Sequence, residues 1–375
     1  MTARPENGAP ALRVAYTLEQ CWHRVPGGTA VAALEVARCL APRRDVTLVG
    51  VAGRHRHPPD PPWRSPIPIA MLPLPRPALY ESWVRLRRPA VERVTGTVDV
   101  AHATALVPCP STAPLVVTIH DVAFVHEPAR FTRQGARIMR AALDAVRDRA
   151  TFVITSSEAS RGDLVAAGID DARLRVIPLG VDAAPATPSD VATVRRRLDL
   201  PERFVLFVGT LEPRKNLRRL TAAVAALEEP LPLVVAGPTG WGDVRSGITV
   251  ETGHGNGAVR FVGFVPPDEL PGLYAAATVF AYPSEVEGFG LPVAEAMAQG
   301  TPVVTSAGRS TEEVAGGAAV LVDPLDVDSI AAGLVQAQLQ AASLAMAGRA
   351  RAAALTWEAT AERTLAVYRE AAHAR

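Results

Sequence analysis

The sequence predicts an α/β protein of two Rossmann-like domains, each built on a parallel sheet, which face each other across a cleft. Three observations support this prediction. The chain has 375 residues, which suits two domains of roughly 150–200 residues better than one core. Short apolar runs typical of buried strands alternate with helical patterns along its length. The stretch AAPATPSD at 183–190 lacks apolar periodicity and separates two halves with the same order of strands and helices.

The first domain is predicted to span residues 1–182. Nine prolines between Pro58 and Pro77 interrupt the pattern, so we expect a surface excursion there that is not part of the sheet. The Arg-rich segment 78–94 is interpreted as a helix that packs Trp83 on its own domain, and a membrane-interfacial helix is the alternative. Strands are expected at LRVAYTL, DVTLVGV, LVVTIH, TFVITSS and LRVIPLG, and helices at 29–40, 132–148 and 158–168.

After a linker at 183–198, the second domain is predicted to span residues 199–356. The alternation of strands and helices restarts there, which indicates a second sheet of the same kind. Its strands are expected at RFVLFVGT, PLVVAG, VRFVGFV, TVFAYPS, TPVVTS and AAVLVDP, and its helices at 216–227, 268–276 and 292–299.

Composition indicates a soluble globular protein, with 48% hydrophobic and 21% charged residues. The three cysteines have no metal-binding spacing, which favours a reducing compartment. We see no signal peptide in the first residues, and the mostly alanine stretch 330–348 is too weakly apolar to span a membrane. We therefore expect a cytoplasmic protein.

The net charge of +1 conceals an asymmetry between the two halves. Residues 1–180 contain 23 arginines and 16 acidic residues, a charge of +7, whereas residues 181–375 carry −6. A basic first domain suggests an anionic partner, either a phosphorylated acceptor or a membrane surface, and solvated arginines are an alternative of equal weight. We expect no nucleic acid as a partner. Of the 39 basic residues only Lys215 is a lysine, which suggests a site that needs a compact ammonium group, and chance survival of a single lysine is the alternative.

Two other classes of site are disfavoured. A dinucleotide-dependent oxidoreductase would place G-x-G-x-x-G between the first strand and the first helix. That position holds a loop ending in Pro26, Gly27 and Gly28, and the only G-x-G-x-G string, at 253–257, leads into a strand. His55 and His57 could resemble a metal pair, but no acidic or cysteine partner lies nearby in the sequence.

The strongest local signal is SEVEGFGLPVAEAMAQGTPVV at 284–304. Glu287 and Glu295 are separated by seven residues, and Gly288, Gly290 and Pro292 lie between them. Because proline suits the first helical turn, the helix is expected to begin near Pro292, with Glu295 in its first turn. A glycine-rich loop that leads into a helix N-terminus offers backbone N–H groups to a phosphate. Carboxylates beside such a site would accept bonds from sugar and ribose hydroxyls.

The E-x7-E segment resembles the signature of glycosyltransferase family 4, retaining enzymes of the GT-B fold that use nucleotide-sugar donors. The resemblance covers nearly the whole chain except the proline-rich excursion. Further similar segments are VLFVGTLEPRKNL (205–217), FVGFVPPDELPGLYAAATVFAYPS, AAVLVDPLD and LTWEATAERTLAVYREA, and in the first domain PGGTA, VVTIHDVAF, TSSEASRGDL and RVIPLGVD.

This resemblance implies roles for particular residues. Arg214 and Lys215 would neutralise the donor diphosphate, which is also the leaving group. Glu287 would lie near the hydroxyls of the donor sugar, Glu295 on the ribose, and His120 against the donor sugar from the first domain. The remaining donor-binding positions are Gly27, Gly28, Gly209, Thr210, Gly288, Phe289, Gly290 and Leu291. Some relatives carry an arginine where this chain has Thr210.

The resemblance also implies a reaction. A hexose of mannose or glucose type would pass from a GDP- or UDP-linked donor to a glycan, lipid-linked or small-molecule acceptor, without a metal or other cofactor. The first domain would receive the acceptor, and the helix at about 357–375 would cross back onto it. Peripheral association with the inner face of the membrane fits the basic first domain. An epimerase-type or phosphorylase-type GT-B enzyme and a non-catalytic GT-B binding protein remain as alternatives.

Overall fold

The computed structural model describes residues 11–126, 128, 131–240 and 258–374. The G-x-G-x-G string at 253–257 and the first ten residues, where no signal peptide is expected, lie outside this range. The chain forms two parallel sheets, and every strand pair within them is parallel.

The first sheet has seven strands in the order β3-β2-β1-β4-β5-β6-β7. The chain therefore reverses its direction of winding between β1 and β4, and the crevice at their carboxyl ends is where open α/β sheets bind ligands. The strands are β1 (Leu12–Thr17), β2 (Val46–Ala52), β3 (Ile69–Met71), β4 (Val100–Ala103), β5 (Leu115–Thr118), β6 (Phe152–Thr155) and β7 (Leu174–Val176).

Helices pack on both faces of this sheet, because its strands are apolar on both sides. Ser157 caps the N-terminus of α6 and Thr132 caps that of α5 through side-chain oxygens. The helices are α1 (Gly27–Leu40), α2 (Arg76–Arg85), α3 (Glu92–Thr95), α4 (Ala123–His126), α5 (Arg133–Arg149) and α6 (Glu158–Ala166).

The second sheet has six strands in the order β10-β9-β8-β11-β12-β13, which places its own reversal between β8 and β11. Its strands are β8 (Val205–Val208), β9 (Leu233–Ala236), β10 (Val259–Gly263), β11 (Val279–Tyr282), β12 (Val303–Ser306) and β13 (Val320–Val322). The helices of this half are α7 (Pro188–Leu198), α8 (Leu217–Ala225), α9 (Leu270–Ala276), α10 (Leu291–Ala298), α11 (Ser310–Ala315), α12 (Val327–Leu339) and α13 (Ala341–Ala353).

Three expectations need correction. The segment 78–94 does not form a single helix: α2 ends at Arg85 and α3 begins at Glu92, and Pro89 between them cannot donate a helical hydrogen bond. The proline-rich segment does contribute to the sheet, because Ile69–Met71 forms the edge strand β3 beside β2. The carbonyl of Pro68 accepts a hydrogen bond from Gly50, and an edge strand tolerates a proline without an N–H group. Residues 188–198, expected within the linker, form helix α7. Thr187 and Asp190 make a capping box there, and Val194 is buried in the second domain's core.

The last helix, α14 (Trp357–His373), packs against α1 and the first sheet. Its Leu365, Tyr368 and Ala371 are buried in the core of the first domain. Of the helices in the described ranges, none alone is long and apolar enough to cross a membrane. Within the same ranges, one pair of helices reaches the length and hydrophobicity of a membrane span, Val327–Leu339 with Ala341–His373, and it is bent by 91°.

Candidate active site

The basic pair lies at the point where the second sheet reverses. Arg214 and Lys215 form a short 3-10 turn, Pro213–Lys215, in the loop that follows β8. The segment 283–287 follows β11, the neighbouring strand across the reversal. The carboxyl ends of parallel strands share one edge of the sheet, so the fold brings Glu287 to the basic pair although 72 residues separate Lys215 from it.

Glu287 holds both cations. Its Oε1 accepts a hydrogen bond from Lys215 Nζ at 2.6 Å, and its Oε2 forms an ion pair with Arg214 Nη1 at 3.0 Å. Oε1 also accepts hydrogen bonds from Ser284 Oγ at 2.6 Å and from the Tyr282 hydroxyl at 3.1 Å. Arg214 is held further by Glu212, whose Oε2 lies 2.9 Å from its Nε.

Burial and neighbouring charges act against each other in this cluster. Burial would raise the pKa of Glu287, but the charges of Arg214 and Lys215 outweigh it and lower that pKa to about 2. Burial, reinforced by Arg214, lowers the pKa of the Lys215 ammonium group. Burial raises the pKa of Glu212. Two cations and two carboxylates leave the cluster formally neutral when all four groups are ionised.

Both cations keep hydrogen-bond donors for a ligand. Arg214 donates through Nε to Glu212 and through Nη1 to the Val286 carbonyl at 2.8 Å, and its Nη2 has no partner among the described residues. The ammonium group of Lys215 has three N–H bonds. Among the residues that the structure describes, it donates to Glu287 and to the Tyr282 hydroxyl, which leaves one N–H bond. The cluster therefore offers a fixed guanidinium and a fixed ammonium to an anion.

The glycine-rich loop leads into helix α10 one residue earlier than expected. Gly290 has φ +102° and serves as the N-cap, so the helix begins at Leu291 and Glu295 falls in its second turn. Glu295 Oε2 accepts a hydrogen bond from the Tyr274 hydroxyl at 2.7 Å. Burial raises the pKa of Glu295, and this hydrogen bond opposes the rise. The side chains of Phe289 and Leu291 are buried, so these two residues offer only backbone groups to a ligand.

The other predicted glycines lie after β8 in the second domain and at the start of α1 in the first domain. Gly209 follows β8, and a Cβ atom on the neighbouring Gly237 would lie 2.1 Å from the Gly209 carbonyl oxygen. Thr210 is half-buried beside Gly209. Gly27, with φ +61°, opens helix α1 in the first domain. A Cβ atom on Gly28 would lie 3.4 Å from Leu291 Cδ1, so this loop reaches the start of α10.

His120 lies where the two domains meet. Its Nδ1 is 3.4 Å from Ser156 Oγ, and its Nε2 is buried without a hydrogen-bond partner in the described part of the chain. A cavity of about 30 Å³ adjoins the ring and is also lined by His102 and Thr155. Burial lowers the pKa of His120 against the effect of Asp121. The imidazole is therefore directed into the protein in this structure.

Contacts that the sequence did not reveal join the domains. The Gly288 carbonyl accepts hydrogen bonds from Ser157 Oγ at 2.8 Å and from Ser156 Oγ at 3.0 Å. Glu313 of α11 accepts backbone N–H bonds from Glu158 and Ala159 at the N-terminus of α6. The segment TSSEAS contains the hydroxyl groups, but nothing in its pattern names a partner 132 residues away.

Further residues of the cluster were missed for a similar reason. Glu212, Tyr282 and Ser284 are common residue types at strand ends, and only the folded sheet directs them at the basic pair. The signal available was their position, since all three follow or end a strand beside the sheet reversal. In the described ranges no three His, Cys, Asp or Glu side chains converge into a metal site. His55 instead contacts Glu19, with Nε2 to Oε1 at 2.9 Å.

The sequence comparisons agree with this geometry. The profile of glycosyl transferases group 1 matches residues 192–350, and that of Glycosyltransferase Family 4 matches residues 26–184. The O-antigen chain mannosyltransferase B of Escherichia coli is 36% identical over 266 residues, which cover 68% of this chain and 70% of that protein. A D-inositol 3-phosphate glycosyltransferase of Salinispora tropica is 35% identical over 288 residues, covering 69% of this chain and 59% of the relative.

Solved structures share the fold. Anabaena HepE, crystallised with UDP and glucose, superposes with a TM-score of 0.72 at 20% identity, covering 95% of this chain and 98% of HepE. Sucrose-phosphate synthase from Thermosynechococcus elongatus gives a TM-score of 0.72 at 23% identity, with coverage of 97% and 100%. The two facing parallel sheets thus form the GT-B fold. The matched family profiles and the relatives define the class of protein as a glycosyltransferase. The chain belongs to glycosyltransferase family 4.

Proposed function

We propose that this protein is a retaining glycosyltransferase that moves a hexose of mannose or glucose type from a GDP- or UDP-linked donor to a glycan, lipid-linked or small-molecule acceptor. One observation carries the proposal: Arg214 and Lys215 are fixed by Glu287 at the sheet reversal, and each retains an N–H group for an anion. The hexose is suggested by the mannosyltransferase relative.

The basic pair would act on the leaving group. Negative charge grows on the nucleotide diphosphate as its bond to the anomeric carbon breaks. Cations already held in place stabilise that charge more than they stabilise the ground state, so they lower the barrier to transfer. Glu287 Oε1 already accepts three hydrogen bonds, so a sugar hydroxyl would bind at its Oε2, which has one partner, Arg214, in the described ranges.

The glycine-rich segments would let the donor approach the backbone. The N–H groups at the start of α10, after Gly288 and Gly290, face an anion with the positive end of the helix dipole. Gly28 comes within contact distance of Leu291 and would bring the first domain to the same diphosphate. Glu295, the acid of the second turn, would accept hydroxyl hydrogen bonds from the ribose.

The acceptor proton needs a destination. In a same-face reaction the acceptor oxygen bonds to the anomeric carbon while the bond between that carbon and the phosphate oxygen breaks. The departing phosphate oxygen takes the acceptor proton. The phosphate oxygen, and not His120, is then the base. Contact of His120 with the donor sugar would require its ring to turn from the buried orientation of this structure toward the cleft. Because the positive charge comes from side chains and a helix N-terminus, no metal ion is required.

The basic first domain supports the proposal that the enzyme works in the cytoplasm beside an anionic membrane surface. Arg85, Arg87 and Arg88 are exposed at the end of α2, with Leu86 exposed at 70%, whereas Trp83 is buried at 1%. Helix α5 packs on α2 and adds exposed arginines to the same region. Such a surface would attract anionic lipids or a lipid-linked phosphate acceptor.

A donor panel tests the proposal. The protein is incubated with GDP-mannose, UDP-glucose and other nucleotide sugars, and slow hydrolysis and thermal stabilisation are measured. Stabilisation with hydrolysis by one donor supports a transferase. Conversion of the sugar without hydrolysis supports the epimerase-type alternative, and stabilisation without any turnover supports a non-catalytic binding protein. No response to any donor would overturn the proposal.

A further inference from the structure

A second polar pair lies at the carboxyl edge of the first sheet, outside the cluster around Glu287. Glu19 follows β1 and His55 follows the adjacent strand β2. The Glu19 side chain is only 2% exposed, and its Oε1 lies 2.9 Å from His55 Nε2. Its Oε2 accepts the backbone N–H of Gly53 at 2.6 Å. The buried carboxylate therefore has a hydrogen-bond donor on each oxygen.

Glu19 fixes which nitrogen of His55 carries the proton. An ionised carboxylate only accepts hydrogen bonds, so Nε2 must be the protonated nitrogen. In the neutral imidazole this leaves Nδ1 as an acceptor, and Nδ1 has no partner in the described ranges of the chain. The His55 side chain remains 17% exposed. A ligand that donates a hydrogen bond, such as a hydroxyl group, fits this nitrogen.

The orientation of the ring is fixed as well. Trp22 stacks on His55 with a centroid distance of 4.4 Å and an interplanar angle of 7°. Trp22 is held in turn, since its Nε1 donates to the His57 carbonyl at 2.8 Å. The imidazole is thus preorganised by one hydrogen bond and one stacked ring, so little conformational entropy is lost on binding.

The position of His55 indicates which part of a ligand it would meet. Gly288, the residue after Glu287, packs on His120, which follows β5. Because Glu287 would bind the donor sugar, the reacting bond would lie near the end of β5. His55 follows β2, three strands away in the sheet order. At about 4.8 Å per strand this separation is on the order of 14 Å, which exceeds a single pyranose ring. The chain that carries Glu19 continues to Gly28, which reaches Leu291 of the second domain, so this edge faces the same cleft.

We propose that His55, positioned by Glu19, recognises a hydroxyl group in the distal part of the acceptor, and that the acceptor is therefore an oligosaccharide of at least two rings. The inference rests on the proposed function, and it narrows the acceptor class to glycan chains. A small acceptor of one ring would occupy the end of β5 without reaching His55.

The test is binding to immobilised sugars by the protein saturated with UDP or GDP. The probes are mannose, mannobiose and mannotriose with their glucose and galactose counterparts. We expect at least one di- or trisaccharide to bind about tenfold more tightly than its monosaccharide, the order expected for an added hydrogen bond. His55→Ala removes this preference. Glu19→Gln also reduces it, because an amide N–H facing Nε2 shifts the proton to Nδ1. His57→Ala, an exposed neighbour, is the matched control and keeps the preference.

Thermal stabilisation by the donor is measured on the same variants and separates the two proposals. Failure of the wild type to respond to any donor overturns the proposed function. Binding to the immobilised sugars reports on the acceptor alone. The inference is overturned if no oligosaccharide binds better than its monosaccharide, or if His55→Ala keeps the preference. It is also overturned if both variants lose donor response and melting temperature together, since the pair then only holds its loop.

Discussion

Gly288 of the second domain packs directly on the backbone of His120 in the first domain. A Cβ atom on Gly288 would lie 2.5 Å from the His120 carbonyl oxygen, closer than real Cβ contacts allow. Hydrogen bonds from the Ser156 and Ser157 hydroxyls to the Gly288 carbonyl help to keep this contact closed. The residue next to Glu287 is therefore also a point of contact between the two domains.

Gly288→Ala is expected to hold the domains apart and to lower kcat/KM by at least about tenfold, because misplacement of bound groups by about 1 Å costs that much or more. Small-angle scattering and donor turnover measure the two effects. Gly162→Ala is the control, since a Cβ there meets nothing within 4 Å. Unchanged scattering and turnover in Gly288→Ala would contradict the closed contact.

Much of the fold follows from the sequence, because buried parallel strands are continuous apolar runs that are easy to recognise. Strand β3 was missed because its flanking prolines signal a loop, and only an edge position makes Pro68 compatible with a strand. Strand β4 was missed because its run, VAHA, is short and contains a histidine.

The candidate site was predictable in its parts and not in its pairing. Family resemblance named Arg214, Lys215 and Glu287 separately, with a diphosphate and a sugar as their partners. The structure joins them to one another, and that link depends on the adjacency of β8 and β11, which sequence spacing does not encode. The sequence does not distinguish helix α7 from a linker, because its capping residues are also typical loop residues.

Glu287 is expected to stabilise the fold at neutral pH and to lose that effect in acid. Its pKa falls from an ordinary value of 4.5 to about 2, so the stabilisation is complete above pH 4.5 and disappears as the pH falls through 2. The shift corresponds to about 3 kcal/mol. Urea unfolding should show Glu287→Gln clearly destabilised at pH 7 and less so at pH 3. Glu228→Gln, on the surface, serves as the control. An equal loss of unfolding free energy by Glu287→Gln at both pH values would contradict an ion-pair origin of the stabilisation.

Catalysis is expected to survive exhaustive chelation. The charge on the leaving group would be neutralised by Arg214, Lys215 and the N-terminus of α10. Turnover is compared before and after dialysis against EDTA, with a metal-dependent glycosyltransferase as the positive control. Loss of turnover that Mg²⁺ or Mn²⁺ restores would show that a metal is needed.

The protein is expected to sediment with anionic liposomes at low salt. Each arginine near such a surface contributes roughly 1 kcal/mol, and screening over a Debye length of about 8–10 Å weakens the attraction as salt rises. Replacing Arg85, Arg87 and Arg88 by Gln should reduce binding. Replacing the exposed Arg196, Arg203 and Arg218 of the second domain should reduce it less.

Equal and negligible binding to neutral and anionic liposomes at low salt would contradict the proposed membrane association. Binding that persists in the first triple variant would keep the membrane and exclude the end of α2 as its contact.

Lys215 is the one basic position where arginine should fail, although arginine supplies every other positive charge in the sequence. Its ammonium group is buried between Tyr282 and Glu287, with the side chain 9% exposed, and a planar guanidinium has no equivalent place there. The most direct measurement is donor turnover by Arg214→Ala, Lys215→Ala, Lys215→Arg and the double alanine variant, with the exposed Arg218→Ala as control. Each site variant is expected to lower kcat/KM by about tenfold to a thousandfold, while Arg218→Ala matches the wild type. Wild-type turnover in the double variant would contradict the assignment of Arg214 and Lys215 to the donor diphosphate.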